Sequence, residues 1–175
     1  NKLQKVEHFV KHQLPDIVGT EAVNHYTENF ENQGFMGKSW KKVKRRDANS
    51  SWYGFKHGSK QRKPSSHPSR KGVKSKYKKR KDSPVTNYAK VATKTPILSS
   101  QKSELENSLQ YRPNGLKVHV FSDKDYAHVH NTGGRIKVFG KKTVRLPKRQ
   151  FIGRDRRLEM KIKRKVETKI NQILQ

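Results

Sequence analysis

Apolar residues recur at helical spacing through the first third of the chain. Leu3, Val6, Val10 and Leu14 form one stripe, and Pro15 breaks it, with Asp16 beside it to favour a new start. Val18, Ala22, Tyr26 and Phe30 then form a second stripe with a strict four-residue step, and Gly34 is placed to stop that helix. Two amphipathic helices are therefore expected. Beyond the midpoint the period changes. Leu105 to Leu109 reads as the end of a short helix that leads into a strand, and Asn114-Gly115 is a hairpin-turn signal. After the turn Leu116, Val118 and Val120 alternate with Lys117, His119 and Phe121, as a strand requires. A short link, Tyr126 to Asn131, ends at Gly133-Gly134, and Ile136, Val138, Val144 and Leu146 predict a second hairpin around Gly140. Leu158, Ile162, Val166, Ile170 and Ile173 give a long amphipathic C-terminal helix with a basic outer face.

The expected fold class is α+β: N-terminal helices over 1–37, a small antiparallel sheet of about four strands, and a closing C-terminal helix. Residues 84–175 form the α+β body together with 1–37 as one domain. The stretch between them, 38–83, is different in kind. From Lys38 to Lys81 there are 18 basic residues and one acid, Asp47, and serine, glycine and proline fill much of the rest. Such a stretch cannot offset the entropy of ordering by its own burial, so an extended basic arm is expected there. Trp40, Trp52, Tyr53 and Phe55 interrupt the charge at its front end and could anchor it.

Charge changes the picture of partners more than of fold. Across 175 residues, 42 Lys and Arg face 14 Asp and Glu, a formal net charge of +28 that favours polyanions. There is no cysteine, so disulfides and thiolate metal sites are excluded. No apolar run approaches a membrane span and no signal-peptide pattern is present, so neither a membrane partner nor export is expected.

Candidate chemistry is sparse. No serine sits in a Gly-x-Ser-x-Gly elbow, and the acids are few for acid–base pairs. His8 with His12, and His128 with His130, are spaced to share a metal, but no acidic or cysteine partner stands at ligand spacing; an exposed helix face and a turn explain them more simply. Gly133-Gly134-Arg135 and Gly140-Lys141-Lys142 lack the spacing of a phosphate loop and read as hairpin turns. No catalytic residue, metal or cofactor is expected. The candidate polyanion contacts are Lys74, Lys76, Lys78, Lys79, Arg80 and Lys81 in the arm, with the helix face bearing Arg156, Arg157, Lys161 and Arg164 as a second. Aromatic residues do not interleave within 60–76, which argues against a base-stacking platform.

Four segments in order resemble the phage virion morphogenesis family, also described as Mu-like minor virion or tail-completion proteins. The first is Ala22-Val23-Asn24-His25-Tyr26 followed by Asn29-Phe30-Glu31-Asn32-Gln33-Gly34-Phe35 and Trp40-Lys41-Lys42. The second is Ile97-Leu98 with Leu105 and Ser108-Leu109; here Ser103 stands where the family usually has glycine. The third and most specific is Tyr126-Ala127-His128-Val129-His130-Asn131 running into Gly133-Gly134. The fourth is Arg149-Gln150-Phe151-Ile152-Gly153. The arm from 51 to 82 is longer and more basic than the family pattern.

The resemblance implies a structural virion protein of a tailed phage, not an enzyme. It would complete or join the tail at the head–tail connector (the neck) as a ring of identical copies against portal, connector and tail proteins, with packaged DNA reached through the arm. Its place would be the virion, and the host cytoplasm during assembly. Tyr126, Ala127, His130, Asn131, Gly133, Gly134, Arg149, Phe151 and Gly153 would be scaffold residues. One aromatic ring of 126–131 would point inward, and Phe151 would plug the sheet and orient the last helix. From charge alone the competing reading is a basic nucleic-acid-binding module of ribosomal or nucleoid type.

Overall fold

The computed structural model describes residues 1–50, 52–55, 90–98, 102–138 and 142–175. The chain forms two compact units, one of Asn1–Lys41 with Leu98–Gln175 and the other of Lys42–Ile97. It is mixed helix and sheet, as the period changes predict. None of the described helices is long and apolar enough to cross a membrane.

The first unit opens with α1 (Lys2–His8), capped by the Asn1 side chain on the Leu3 N–H, and continues into α2 (Leu14–Glu31). The break expected at Pro15 does not separate the two. Residues Phe9–Gln13 form a π-helical turn in which the Leu14 N–H bonds to the Phe9 carbonyl, and Pro15 falls in the first turn of α2. A proline suits that position because its fixed φ matches the first turn of a helix. The helix stops before the expected glycine. Asn32 caps it, and Gln33 takes the left-handed conformation at φ +48. Gly34 instead opens the short hairpin of β1 (Gly34–Phe35) and β2 (Lys38–Ser39), where a Cβ would lie 2.7 Å from the Lys38 carbonyl oxygen.

Helix α2 carries different neighbours on opposite sides. On one side lies the hairpin of β3 (Leu109–Asn114) and β4 (Lys117–Ser122), in register from Leu109↔Ser122 to Asn114↔Lys117. The Tyr111 ring rests directly on Gly19, where any Cβ would overlap it. A mid-helix glycine costs about 1 kcal/mol in propensity, and here it permits the close approach of strand to helix. Leu116, expected to share a face with Val118 and Val120, lies in the turn after Gly115 and is 70% exposed.

Two residues along from Gly19, roughly 200° around the helix, Glu21 faces α5 (Arg156–Leu174). Its carboxylate meets Lys161 at 3.2 Å and also pairs with Lys165, while Glu28 takes Lys161 at 3.8 Å. The basic side of the C-terminal helix is thus partly spent inside the subunit. The remaining elements are α4 (Ala127–Thr132) and the hairpin of β5 (Gly134–Val138) with β6 (Lys142–Leu146). The four strands expected after residue 84 are therefore present, paired two and two. Between the flanks sits the core, built on Phe30, which packs on Phe151 at 4.9 Å and on Trp40 at 5.7 Å between ring centroids. Ala22, Tyr26, Leu105, Leu109, Ala127 and Leu158 are buried as well.

In the second unit a 3₁₀ turn at Lys44–Arg46 presents Arg45, whose guanidinium donates to the carbonyls of Thr95 (3.4 Å) and Pro96 (2.8 Å) just after α3 (Lys90–Lys94). Trp52 stacks edge-on with Phe55, yet remains 47% exposed. Of the four aromatic anchors expected at the front of the arm, Trp40 is the one buried, and it belongs to the first unit.

The hydrogen bond from Lys165, opposed by burial and aided by Lys161, holds the Glu21 carboxyl below its ordinary value of 4.5. Its contribution is therefore present above that value and lost as pH falls through the lowered one. Replacing Glu21→Gln is expected to cost about 1 kcal/mol near neutral pH, since both lysines are half exposed and screened. Urea titrations at pH 7 and at pH 3 check this: the difference from wild type should shrink markedly at the lower pH.

Candidate functional site

The segment Arg149–Asp155 has no helix or strand, yet it runs through the interior: Arg149, Phe151 and Asp155 are all buried. A buried segment without a ladder leaves peptide groups that must find partners elsewhere. Side chains from three places supply them. Trp40 Nε1 donates to the Gln150 carbonyl at 2.7 Å, and Asn29 Nδ2 donates to the Phe151 carbonyl at 3.0 Å. Asn131 Nδ2 donates to the Ile152 carbonyl at 3.1 Å, and the Tyr26 hydroxyl donates to the Gly153 carbonyl at 2.7 Å. Four consecutive carbonyls are thus each held by a different side chain. Asn131 also turns its Oδ1 to the N–H groups of Phe151 (2.8 Å) and Ile152 (3.0 Å), so this one amide substitutes for a strand on both sides of the chain. The Arg149 N–H completes the set on the His130 carbonyl at 2.8 Å.

The strap ends by starting a helix. Asp155 Oδ1 accepts from the Arg157 N–H at 2.8 Å and caps α5, and Oδ2 accepts from His25 Nε2 at 2.9 Å. Burial alone would raise this carboxyl, but the bonds from His25 and the Arg157 N–H outweigh it and hold it below its ordinary value. Burial, opposed by the bond to Gly153 and aided by the Asp155 charge, raises the Tyr26 phenol. On α4, burial and then the nearby Arg149 charge push the His130 imidazole down, which favours its neutral form.

The fold brings together the residues singled out by the family resemblance. Ala127 is buried and Phe151 is 1% exposed. Gly133, at φ +75, lies where a Cβ would be 2.8 Å from the Lys148 nitrogen, so the chain before β5 can pass the backbone just ahead of the strap only without a side chain. Gly134 lies at φ +155 and opens β5, and a Cβ at Gly153 would displace the end of the Gln150 side chain. Two expectations need correction. Tyr126 does not point inward: it is 41% exposed and stands edge-on to His130. What the 126–131 segment turns inward is the Asn131 amide. Phe151 packs on the Phe30 ring of α2, and the backbone beyond it is fixed by side chains instead of a sheet.

Lys74, Lys76, Lys78, Lys79, Arg80 and Lys81 lie outside the described residues. On α5, Arg156, Arg157 and Arg164 are exposed, whereas Lys161 is committed to Glu21 and Glu28. The residues that sequence reading missed are His25, Tyr26, Asn29 and Trp40 as donors to the strap, and Asp155. An Asp immediately before an amphipathic run is an N-cap signal, so Asp155 was within reach. Nothing in sequence marks the other four as donors to a chain more than 100 residues away.

A cleft of about 430 Å³ adjoins the strap, lined by His25, Lys38, Ser39, Asp155, Arg157 and Lys161 among others. A His–Asp pair beside a serine invites comparison with a nucleophile–base arrangement. That arrangement needs the second imidazole nitrogen on the hydroxyl. In this cleft His25 Nδ1 faces Glu28 at 4.0 Å, and no hydrogen bond joins the ring to Ser39. Among the described residues no three His, Asp or Glu side chains converge as a metal site.

Comparison with known proteins bears on the same region. The sequence model of the phage virion morphogenesis family matches residues 59–171, a span that takes in α4, Gly133-Gly134 and the strap. The first of the four resembling segments, at 22–42, lies ahead of that span. No curated protein and no solved structure matches the chain.

Asn131→Ala should leave the Phe151 and Ile152 N–H groups without partners and the Ile152 carbonyl with only the longer bond from the Gln150 amide. A loss of about 3 kcal/mol is expected in chemical denaturation, well above a surface substitution.

Proposed function

Because the chain belongs to the phage virion morphogenesis family, we propose that it is a structural subunit that completes or joins the tail at the head–tail connector. It would act there as one of a ring of identical copies. The role is assembly and not catalysis. The observation that carries this reading is how the matched motifs use their polar atoms: Asn131 and the backbone of His130 are spent on the strap, and Gly133 lets the chain pass close to the backbone at Lys148 just ahead of it. Residues arranged this way fix a shape. A subunit of fixed shape is what a heterologous, rotationally closed assembly requires.

Portal, connector and tail proteins are the neighbours this reading names. The net charge of +28 favours a second reading, a basic module acting on free nucleic acid. Position in the particle separates the two. Particles assembled without the protein should accumulate filled heads and unattached or unfinished tails, and labelled protein should appear at the neck in electron micrographs. Normally joined particles without it, or label found only with DNA inside the capsid, would contradict the proposal.

A further inference from the structure

The β5–β6 ribbon carries a charge arrangement that the strap does not use. In an antiparallel pair directly opposed residues share a face, as do residues two apart along a strand. The register Arg135↔Arg145 and Lys137↔Thr143 therefore gathers Arg135, Lys137 and Arg145 on one face. All three are exposed, while Ile136, Val144 and Leu146 on the opposite face are partly buried. None of the three is in an ion pair among the described residues. Two like charges directly opposed across a hairpin weaken it, so this face is arranged against its own stability.

The support beneath it is ordered. Helix α4 packs against β5, and at the base of the ribbon Gly133 lies close against the backbone at Lys148. Cations held on such a support contact a ligand without the entropic cost of ordering a loose tail. Arg135 and Lys137 stand about 6.8 Å apart along the strand, with Arg145 beside the first, and paired guanidinium forks suit phosphate oxygens. A second copy of this chain, itself strongly cationic, is a poor occupant for such a face.

We infer that the Arg135–Lys137–Arg145 face of the β5–β6 ribbon is a sequence-independent contact for the phosphate backbone of duplex DNA. The inference goes beyond the assembly role and stands without it, since it concerns binding by the subunit itself. A two-stranded ribbon is narrow enough to lie along a groove between backbones. With cations and no described acid on this face, binding would show the salt dependence of counterion release.

The test uses the full chain and a labelled, mixed-sequence DNA duplex in fluorescence anisotropy, with thermal unfolding of every variant alongside. Arg145→Glu replaces the like-charge pair with an opposite-charge pair. It should leave the unfolding midpoint unchanged or raised while weakening DNA binding about tenfold at low salt. The triple variant R135S/K137S/R145S should reduce the slope of log K against log salt by roughly 2 to 3. If the triple variant does not fold, R145E decides alone. Wild-type affinity and slope in the folded variants would overturn the inference. So would a joint loss of stability and binding in R145E. Dependence on these three residues for an acidic polypeptide such as polyglutamate, with none for DNA, would overturn it in favour of an acidic protein surface.

Discussion

The hydrogen bonding of the strap is the constraint on which the first unit depends. A chain segment that crosses the interior without a helix or strand must have its peptide groups satisfied one by one, because each buried orphan costs about 1–3 kcal/mol. Trp40, Asn29, Asn131 and Tyr26 meet that requirement at four successive carbonyls. Each bond also fixes an element. Through Tyr26 and Asn29 the strap positions α2, through Trp40 the turn after β2, and through Asn131 it positions α4 and with it the β5–β6 ribbon. At its far end Asp155 begins α5 and holds His25 of α2. Phe151 and Phe30 provide the apolar half of the same junction.

This junction explains which parts of the molecule could be read in the chain. Local periodicity gave α2, both C-terminal hairpins and α5, because the period of apolar positions follows from helix and strand geometry alone. Within the motif at 126–134 an exposed Tyr126 and an Asn131 turned to the strap reverse the expectation of an inward ring, since here the need for hydrogen-bond partners outweighs the burial of a ring. Pro15 misled for the opposite reason. A proline at the first turn of a helix looks like a break, and the preceding π turn that joins the two helices leaves no mark in the pattern. The donors to the strap lie far from it in sequence, so no local rule could find them. Glu21 and its lysines were hidden likewise, since an acid on a helix reads as solvent-facing until its partner helix is known.

Charge divides into two uses. Lys161 and Lys165 are consumed by Glu21 and help hold α5 to α2, and of the α5 residues expected to meet polyanions this takes up Lys161. Arg135, Lys137 and Arg145 sit on a supported ribbon without such partners among the described residues. The family match spans both the strap and the ribbon and by itself assigns a role to neither. A subunit that shapes a junction and also touches the polymer passing through it would combine the two without either depending on the other.

Amide hydrogen exchange tests the central claim most directly. Phe151 and Ile152 lie in no helix or strand, so an ordinary loop would exchange them quickly. If the Asn131 amide holds them as described, both should show protection close to that of the α2 core around Tyr26, opening only with the unit as a whole. Exchange at the rate of exposed loop residues, with α2 still protected, would contradict the account.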